Sequence, residues 1–385
     1  MTSSFHNPPI TTAATSENGR ATGFSDLHPD IIEGHILTRL DGPTLASTSC
    51  SSTTLHHLSS VNHLWLRVCH ATWPSTASPR VNHIIISFPE DSHRNFFSQS
   101  FSLPTTEGEL FHDSESPSLK WALHAIYISL LNLFRIGPST YNSCRKQWIQ
   151  SSNSAINRSS GPEELISAVD IHFKNEVIFS NVHETETTSS WFQSSPFRID
   201  MIDPKGVIST TIKHPNEDDT CMGLIEDMTL SWILIDPIGR LSLNVSSLGC
   251  VSVQRHWLTG EVQVRFSSIL TVDQNRGHVM CEIVVTCGGS EVGEMQVREV
   301  SLEVEDLDGN HLNGRESLVI LQKVLEGKRG NGAKRGEIGR KRYKEFLERK
   351  RERKEKNLRR EGALDVLFVA FGISIFVAFG VFCFV

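Results

Sequence analysis

Phe24-Ser25-Asp26-Leu27-His28-Pro29-Asp30-Ile31-Ile32 opens a stretch that closes on Leu64-Trp65-Leu66-Arg67-Val68-Cys69 and runs out at Pro74. It reads as short helices that cannot hide their own apolar faces. Pro29 suits the first helical position and Asp30 complements the positive helix start. Ile32, Ile36, Leu37 and Leu40 then recur at helical spacing until Asp41-Gly42-Pro43 stops the run. Thr44 is expected to cap a second helix carrying Leu45. Ser51 to Leu58 suits a third, and Asn62 caps a fourth whose face shows Leu64, Trp65, Val68 and Cys69. About fifty residues make a poor core by themselves, so a partner is expected to cover some of these apolar positions.

On Pro29, Ile32, Ile36, Leu37, Leu40, Leu45 and the pair Leu64-Trp65, the stretch resembles an F-box, the motif that docks onto the SKP-family adaptor of SCF ubiquitin ligases. The resemblance implies adaptor binding at those positions and, through the adaptor, a cullin. His28 stands where the pattern usually has Leu, and Leu55 where Trp is common. The bland alternative is a small helical domain packed on the rest of the chain. The wider chain is similar to a plant F-box family with a β-rich middle and a C-terminal transmembrane helix.

Working outward, 385 residues leave room for more than one domain, and the apolar share is ordinary for a globular protein. Eight cysteines include no C-x-x-C pair, and the spacing of Cys281 and Cys287 matches no standard zinc pattern, so reduced thiols are expected. Met1 to Arg20 is polar and lacks the apolar core of a signal peptide, which makes 1–22 a disordered leader. Charge is uneven. Lys328 to Glu361 holds 16 Lys and Arg against 6 Glu, leaving 21 basic and 38 acidic residues elsewhere. An acidic body on a basic neck argues against nucleic acid as a partner of the main fold.

With the F-box placed at 23–75, residues 76–163 read as a linker containing one strand at Val81 to Phe88 and a short apolar helix at 119–136. From Glu164 the period becomes that of strands. Ile166 to Phe173, a Lys174-Asn175 turn and Val177 to Phe179 form a hairpin. Phe197 to Ile202, Leu230 to Ile235, Leu241 to Val245, Glu261 to Phe266, Val279 to Thr286 and Glu294 to Val304 follow, separated by turn clusters. Gly314 to Leu325 reads as a closing helix. Short strands at this spacing predict an antiparallel sandwich over 164–327.

Little in this module points to chemistry. His172, His183, His214 and His256 are scattered, and no nucleophile elbow or phosphate loop occurs. Asp306-Leu307-Asp308-Gly309-Asn310 resembles the start of a calcium loop, but Ser317 stands where a bidentate Glu belongs, so a plain turn is expected. Trp191-Phe192, Trp232 and His256-Trp257 are read first as core, with a ligand groove as the alternative.

Residues 328–362 read as an exposed charged helix, with pairs such as Glu345 with Arg349. Val366 to Val385 carries no charge and suggests a transmembrane helix over 363–385. The neighbouring basic residues would keep the N-terminal body cytosolic, giving a tail-anchored protein of the endoplasmic reticulum. The sequons at Asn157 and Asn244 test that topology. Ala370, Ser374 and Ala378 offer a small-residue stripe for a homodimer.

The expected fold class is therefore α+β and multidomain: a small N-terminal helical F-box, a central antiparallel β-sandwich-like module, a charged helix and a single transmembrane helix. The expected role is a non-catalytic substrate-recognition subunit of an SCF-type ligase, presenting an unknown protein target at a membrane. No catalytic, cofactor or metal site is expected. The rival is a membrane-anchored, lectin-like binding protein that uses the adaptor without forming a ligase.

Overall fold

The computed structural model describes residues 27–89, 91–104, 161–215, 218–271 and 277–384. The leader 1–22, the apolar segment 119–136, Asn157 and nearly all of the second half of the expected linker lie outside them. The chain divides into two compact units, Met1–Leu64 and Trp65–Val385.

In the first unit, the helical run after His28 is not one regular helix. A turn of α-helix, α1 (Pro29–Ile31), passes into a π-helical turn at Ile32–Ile36 and a 3-10 turn at Leu37–Arg39. Gly34 weakens the helix in the middle of this run, and the Thr38 hydroxyl donates back to the Gly34 carbonyl at 2.7 Å. Helix α2 (Gly42–Ser49) is capped by Asp41, whose carboxylate accepts from the Thr44 N–H at 3.0 Å, rather than by Thr44. Pro43 sits in its first turn, where a missing N–H costs nothing. Ser52 caps α3 (Thr53–Ser59), and α4 (Asn62–Thr72) takes Asn62, expected as its cap, as its first residue.

The second unit corrects the linker reading. A 3-10 turn at Pro74–Ala77, α5 (Pro79–Ile86) and α6 (Ser92–Phe101) follow α4, so the expected strand at Val81 to Phe88 is a helix. Val81, Ile84, Ile85 and Phe88 are buried at the i, i+3, i+4, i+7 spacing of a helix, and Pro79 stands in its first turn. A two-residue strand β1 (Leu103–Pro104) closes this helical layer.

The β-rich module is the expected antiparallel one. Its first hairpin joins β2 (Glu164–Phe173) to β3 (Glu176–Glu186), and both turn residues, Lys174 and Asn175, have positive φ as a tight primed turn requires. Short helix α7 (Ser190–Ser194), β4 (Arg198–Asp200), β5 (Ile208–Lys213) and α8 (Asp218–Asp227) lead to the central strand β6 (Met228–Asp236). After β7 (Leu241–Asn244), β8 (Leu248–Gly249) and β9 (Ser252–Arg255) come the long strands β10 (Val262–Thr271), β11 (His278–Gly289) and β12 (Glu294–Asp306). One sheet has the order β3-β2-β6-β7 with β8 against β6. The other runs β4-β12-β11-β10-β9 with β5 against β12. Helix α9 (Gly314–Glu326) joins both sheets in one apolar core that includes Leu165, Val169, Trp232, Phe266, Ile283, Leu302 and Leu321.

Strands β2 and β6 are buried on both faces: Ile166, Ala168, Ile233 and Ile235 point away from that core and are still inaccessible. The layer from Trp73 to Phe101 covers them. Trp73 Nε1 donates to Ser231 Oγ at 3.1 Å, Ser75 bonds Asp170, and the hydroxyls of Ser100 and Ser242 lie 2.9 Å apart. A strand apolar on both faces needs such a cover.

Strand β13 (Arg329–Gly330) pairs with β1, and a single helix, α10, then runs from Arg335 to Phe384. Its first turns dock on the module through Tyr343 and Phe346, beside Ile269, Met280 and Leu307. The membrane expectation is overturned here, because among the described residues no helix is long and apolar enough to cross a membrane. The uncharged residues are the last turns of a 50-residue helix whose first half carries the charged neck. The transmembrane part of the expected fold class, the tail anchor and the endoplasmic reticulum placement fall with it. Asn244 could not have reported topology in the folded chain, since it is buried and its side-chain oxygen accepts from Trp232 N and Ser246 N. The Ser374 hydroxyl of the small-residue stripe bonds within its own helix, to the Ala370 carbonyl at 2.9 Å.

Candidate functional site

The helices of the first unit hold most of the residues singled out for partner binding. Pro29 lies exposed at the start of α1, and Ile36 and Leu40 are half-buried at the ends of the π and 3-10 turns. Ile32, Leu37, Leu45 and Leu64 are buried. The irregular turns have a consequence for display. Leu27 remains 40% exposed and Ile31 46% exposed beside Pro29, two apolar side chains that the sequence reading quoted but did not select. Their signal was position, since both flank the Pro29-Asp30 helix start. Glu33 Oε1 and His63 Nε2 are 3.6 Å apart, an exposed contact of little energetic weight that ties the π turn to the start of α4.

Trp65 is in a different environment, one residue into the second unit. Its ring packs 5.4 Å from Phe97, with the Arg94 guanidinium 5.9 Å above it. Phe97 continues through Trp73, Phe96, Phe88 and Phe101 as an aromatic cluster under α5 and α6. Leu64 and Trp65 are neighbours in sequence but sit in separate units.

Beneath the helical layer is a buried polar joint. Asp170 Oδ1 accepts from Ser75 N at 2.9 Å and Ser180 Oγ at 2.7 Å, while Oδ2 accepts from Ser75 Oγ at 2.5 Å. Burial raises the Asp170 carboxyl above its ordinary value, opposed by these donors. Burial lowers both His172 and His93, the latter also through the charge of His70. Ser75 spends both its donors on docking the layer and Ser180 Oγ comes from the neighbouring strand β3, so the group reads as structural.

The module's aromatic candidates separate. Trp232 is buried with Nε1 donating to Ser167 Oγ at 3.2 Å, and Phe192 packs edge-on to Phe197. Trp191 and Trp257, expected in the core, are exposed. Asp306 forms a plain turn: its Oδ1 accepts from the N–H groups of Asp308 and Asn310, and Asp308 pairs with Arg353 at 3.1 Å. Burial pushes the thiols of Cys281 and Cys287 up to about 12, which leaves them inert in the core. Among the described residues no group of His, Cys, Asp and Glu side chains is arranged to hold a metal ion.

Comparison with known proteins bears on the helical unit and the module together. The chain is 45% identical over 362 residues to Probable F-box protein At2g36090 of Arabidopsis thaliana, covering 94% of this chain and 93% of that one. It is 37% identical over 378 residues to F-box protein At2g27310 of the same plant, covering 94% and 97%. F-box protein At3g44326 is 40% identical over 359 residues, covering 91% of this chain and 86% of its own. No protein-family model matches the chain, and no solved structure matches it.

Proposed function

Because the chain belongs to the F-box protein family, we propose that it is the substrate-recognition subunit of an SCF-type ubiquitin ligase, with the first unit binding a SKP-family adaptor and the second holding the target. The observation that carries the reading is the apolar surface left by a helical unit too small to bury it: Leu27 and Ile31 exposed around Pro29, and Ile36 and Leu40 half-buried beyond. Interfaces concentrate their energy in a few such side chains. The buried Ile32, Leu37, Leu45 and Leu64 would set the shape of that surface, while Trp65 would fix the chain where the second unit begins. A cullin is reached only through the adaptor. The chain performs no covalent step. It holds the target beside the charged ubiquitin carrier and so raises the effective concentration of target lysines.

The test is co-purification of the full chain with a purified SKP-family adaptor. Ile31→Asp with Ile36→Asp is expected to abolish recovery while leaving the circular dichroism spectrum and melting temperature of the second unit unchanged. Undiminished recovery from the double variant would overturn the reading.

A further inference from the structure

The exposed Trp257 has a context that its sequence neighbours do not reveal. Register places the β9–β10 and β11–β12 connections at the same end of one sheet, since Val262 pairs with Arg255 on one side and Cys287 on the other, and Gly289 pairs with Met295. Both tips are tightly made. In the first, Gly260 N donates to His256 O at 2.9 Å and Thr259 N to His256 Nδ1 at 3.2 Å. In the second, Ser290 N donates to Glu294 O at 2.8 Å and Gly293 N to Ser290 O at 3.0 Å. Gly260 and Gly293 have φ of +70° and +86°, a conformation other side chains resist.

One side chain fastens the tips together. Arg298 Nη1 donates to Glu261 Oε1 at 2.7 Å on the first hairpin, and Nη2 donates to the Gly289 carbonyl at 3.2 Å on the second. It crosses over Gly288, where a Cβ would come within 2.4 Å of the guanidinium, so a larger residue there would make the arginine shift. From this braced platform Trp257 is 87% exposed, Leu258 71% and Val292 86%. Isolated apolar surface residues need no explanation, but three on two tips held by a dedicated arginine do.

We propose that these joined tips are the surface by which the chain takes hold of its target, and that the target is a folded protein with an apolar cleft. The inference rests on the function proposed above. The tips are convex, and small ligands are held in concave sites, so the occupant must supply the concavity. Charge defines its rim. The second tip adds Glu291 and Glu294, both exposed, with Glu261 and Arg298 already paired to each other. The matching cleft is therefore basic opposite the second tip, which excludes an anionic polymer as the occupant.

The experiment uses the full chain bound to its adaptor, with the photo-reactive amino acid p-benzoylphenylalanine in place of Leu258. It is expected to cross-link to one protein. The reconstituted ligase should ubiquitinate that protein, with loss of about tenfold or more on changing Trp257, Leu258 and Val292 to Ser, since buried aromatic anchors dominate interface energies. Glu291→Lys with Glu294→Lys should weaken the same reaction without altering the melting temperature, and this second variant decides the matter if the triple variant misfolds. A cross-link only to a second copy of the chain, no cross-linked protein, or undiminished ubiquitination by the variants would overturn the proposal. Loss of adaptor recovery would instead mark failure of the ligase reading, so the two failures are distinguishable.

Discussion

At the residue scale, two buried groups make the joint between the helical layer and the sandwich measurable. Ser75 supplies both its N–H and its hydroxyl to Asp170. Ser75→Ala removes one charge-assisted bond and leaves a buried carboxylate oxygen short of a donor, so a loss of about 1–3 kcal/mol in urea unfolding is expected. His93 is buried with Nε2 3.2 Å from Asn82 Oδ1, and its pKa is lowered from the ordinary 6.5 by burial and then by His70. Below 6.5 the unfolded chain takes up the proton before the folded chain does. The stability His93 contributes is therefore present above that pH and lost as pH falls through the folded value. His172, also lowered by burial, acts in the same direction. Asp170, raised by burial, acts oppositely, with stability lost as pH rises from 3.8 through its folded value. The melting temperature of His93→Gln should fall less steeply between pH 7.5 and 5.5 than that of the parent; parallel curves would exclude His93 as a source of the slope.

At the element scale, one arginine anchors the start of α10. Arg335 is buried and has no carboxylate partner among the described residues. Its Nη1 donates to the carbonyls of Asn244 and Ser246 and its Nη2 to those of Ser100, Phe101 and Ser102, at 2.7–3.2 Å. The last three end α6, where a positive charge also meets the negative end of the helix. Burial, and then the neighbouring charges of Arg329 and Arg342, push its pKa down to about 9, and the five carbonyl acceptors oppose this by favouring the charged form. Arg335→Met would strand these carbonyls inside the protein, at about 1–3 kcal/mol for each left unpaired. Lys cannot reproduce the fork. Both variants are expected to lower the melting temperature by several degrees and to increase proteolysis at the start of α10. A Lys variant as stable as the parent would show that the planar geometry is not needed.

At the scale of the whole molecule, the sandwich has borrowed its cover. Residues 164–327 were expected to fold as a separate module, but the outward Ile166, Ala168, Ile233 and Ile235 are sealed by the segment from Trp73 to Phe101. Fragment 164–327 should therefore aggregate or bind an apolar dye, whereas a chain beginning at Trp65 and retaining α10 should be monodisperse with a cooperative transition. A well-behaved, cooperative 164–327 fragment would show that the helical layer is dispensable.

Local pattern alone determined what depends on near neighbours. The Lys174-Asn175 hairpin, the Gly314 helix start and the apolar repeat from Pro29 to Leu40 were readable because turn dihedrals, caps and helical spacing are set within a few residues. The tertiary structure decided whatever depended on a distant partner. Val81-Asn82-His83-Ile84-Ile85-Ile86 carries a β-branched run and still forms a helix, because it packs with α6 and the Pro74–Ala77 turn in a layer that covers a sheet supplied by residues beyond 160. Trp65 belongs to an aromatic cluster rather than to the unit its sequence neighbours occupy, and Asp41 rather than Thr44 begins α2. Trp232 and Trp257 are equally aromatic in sequence, yet one fills the core and the other stands on a hairpin tip. Burial is a property of strand register and of what lies across the sheet, which no single stretch of sequence contains.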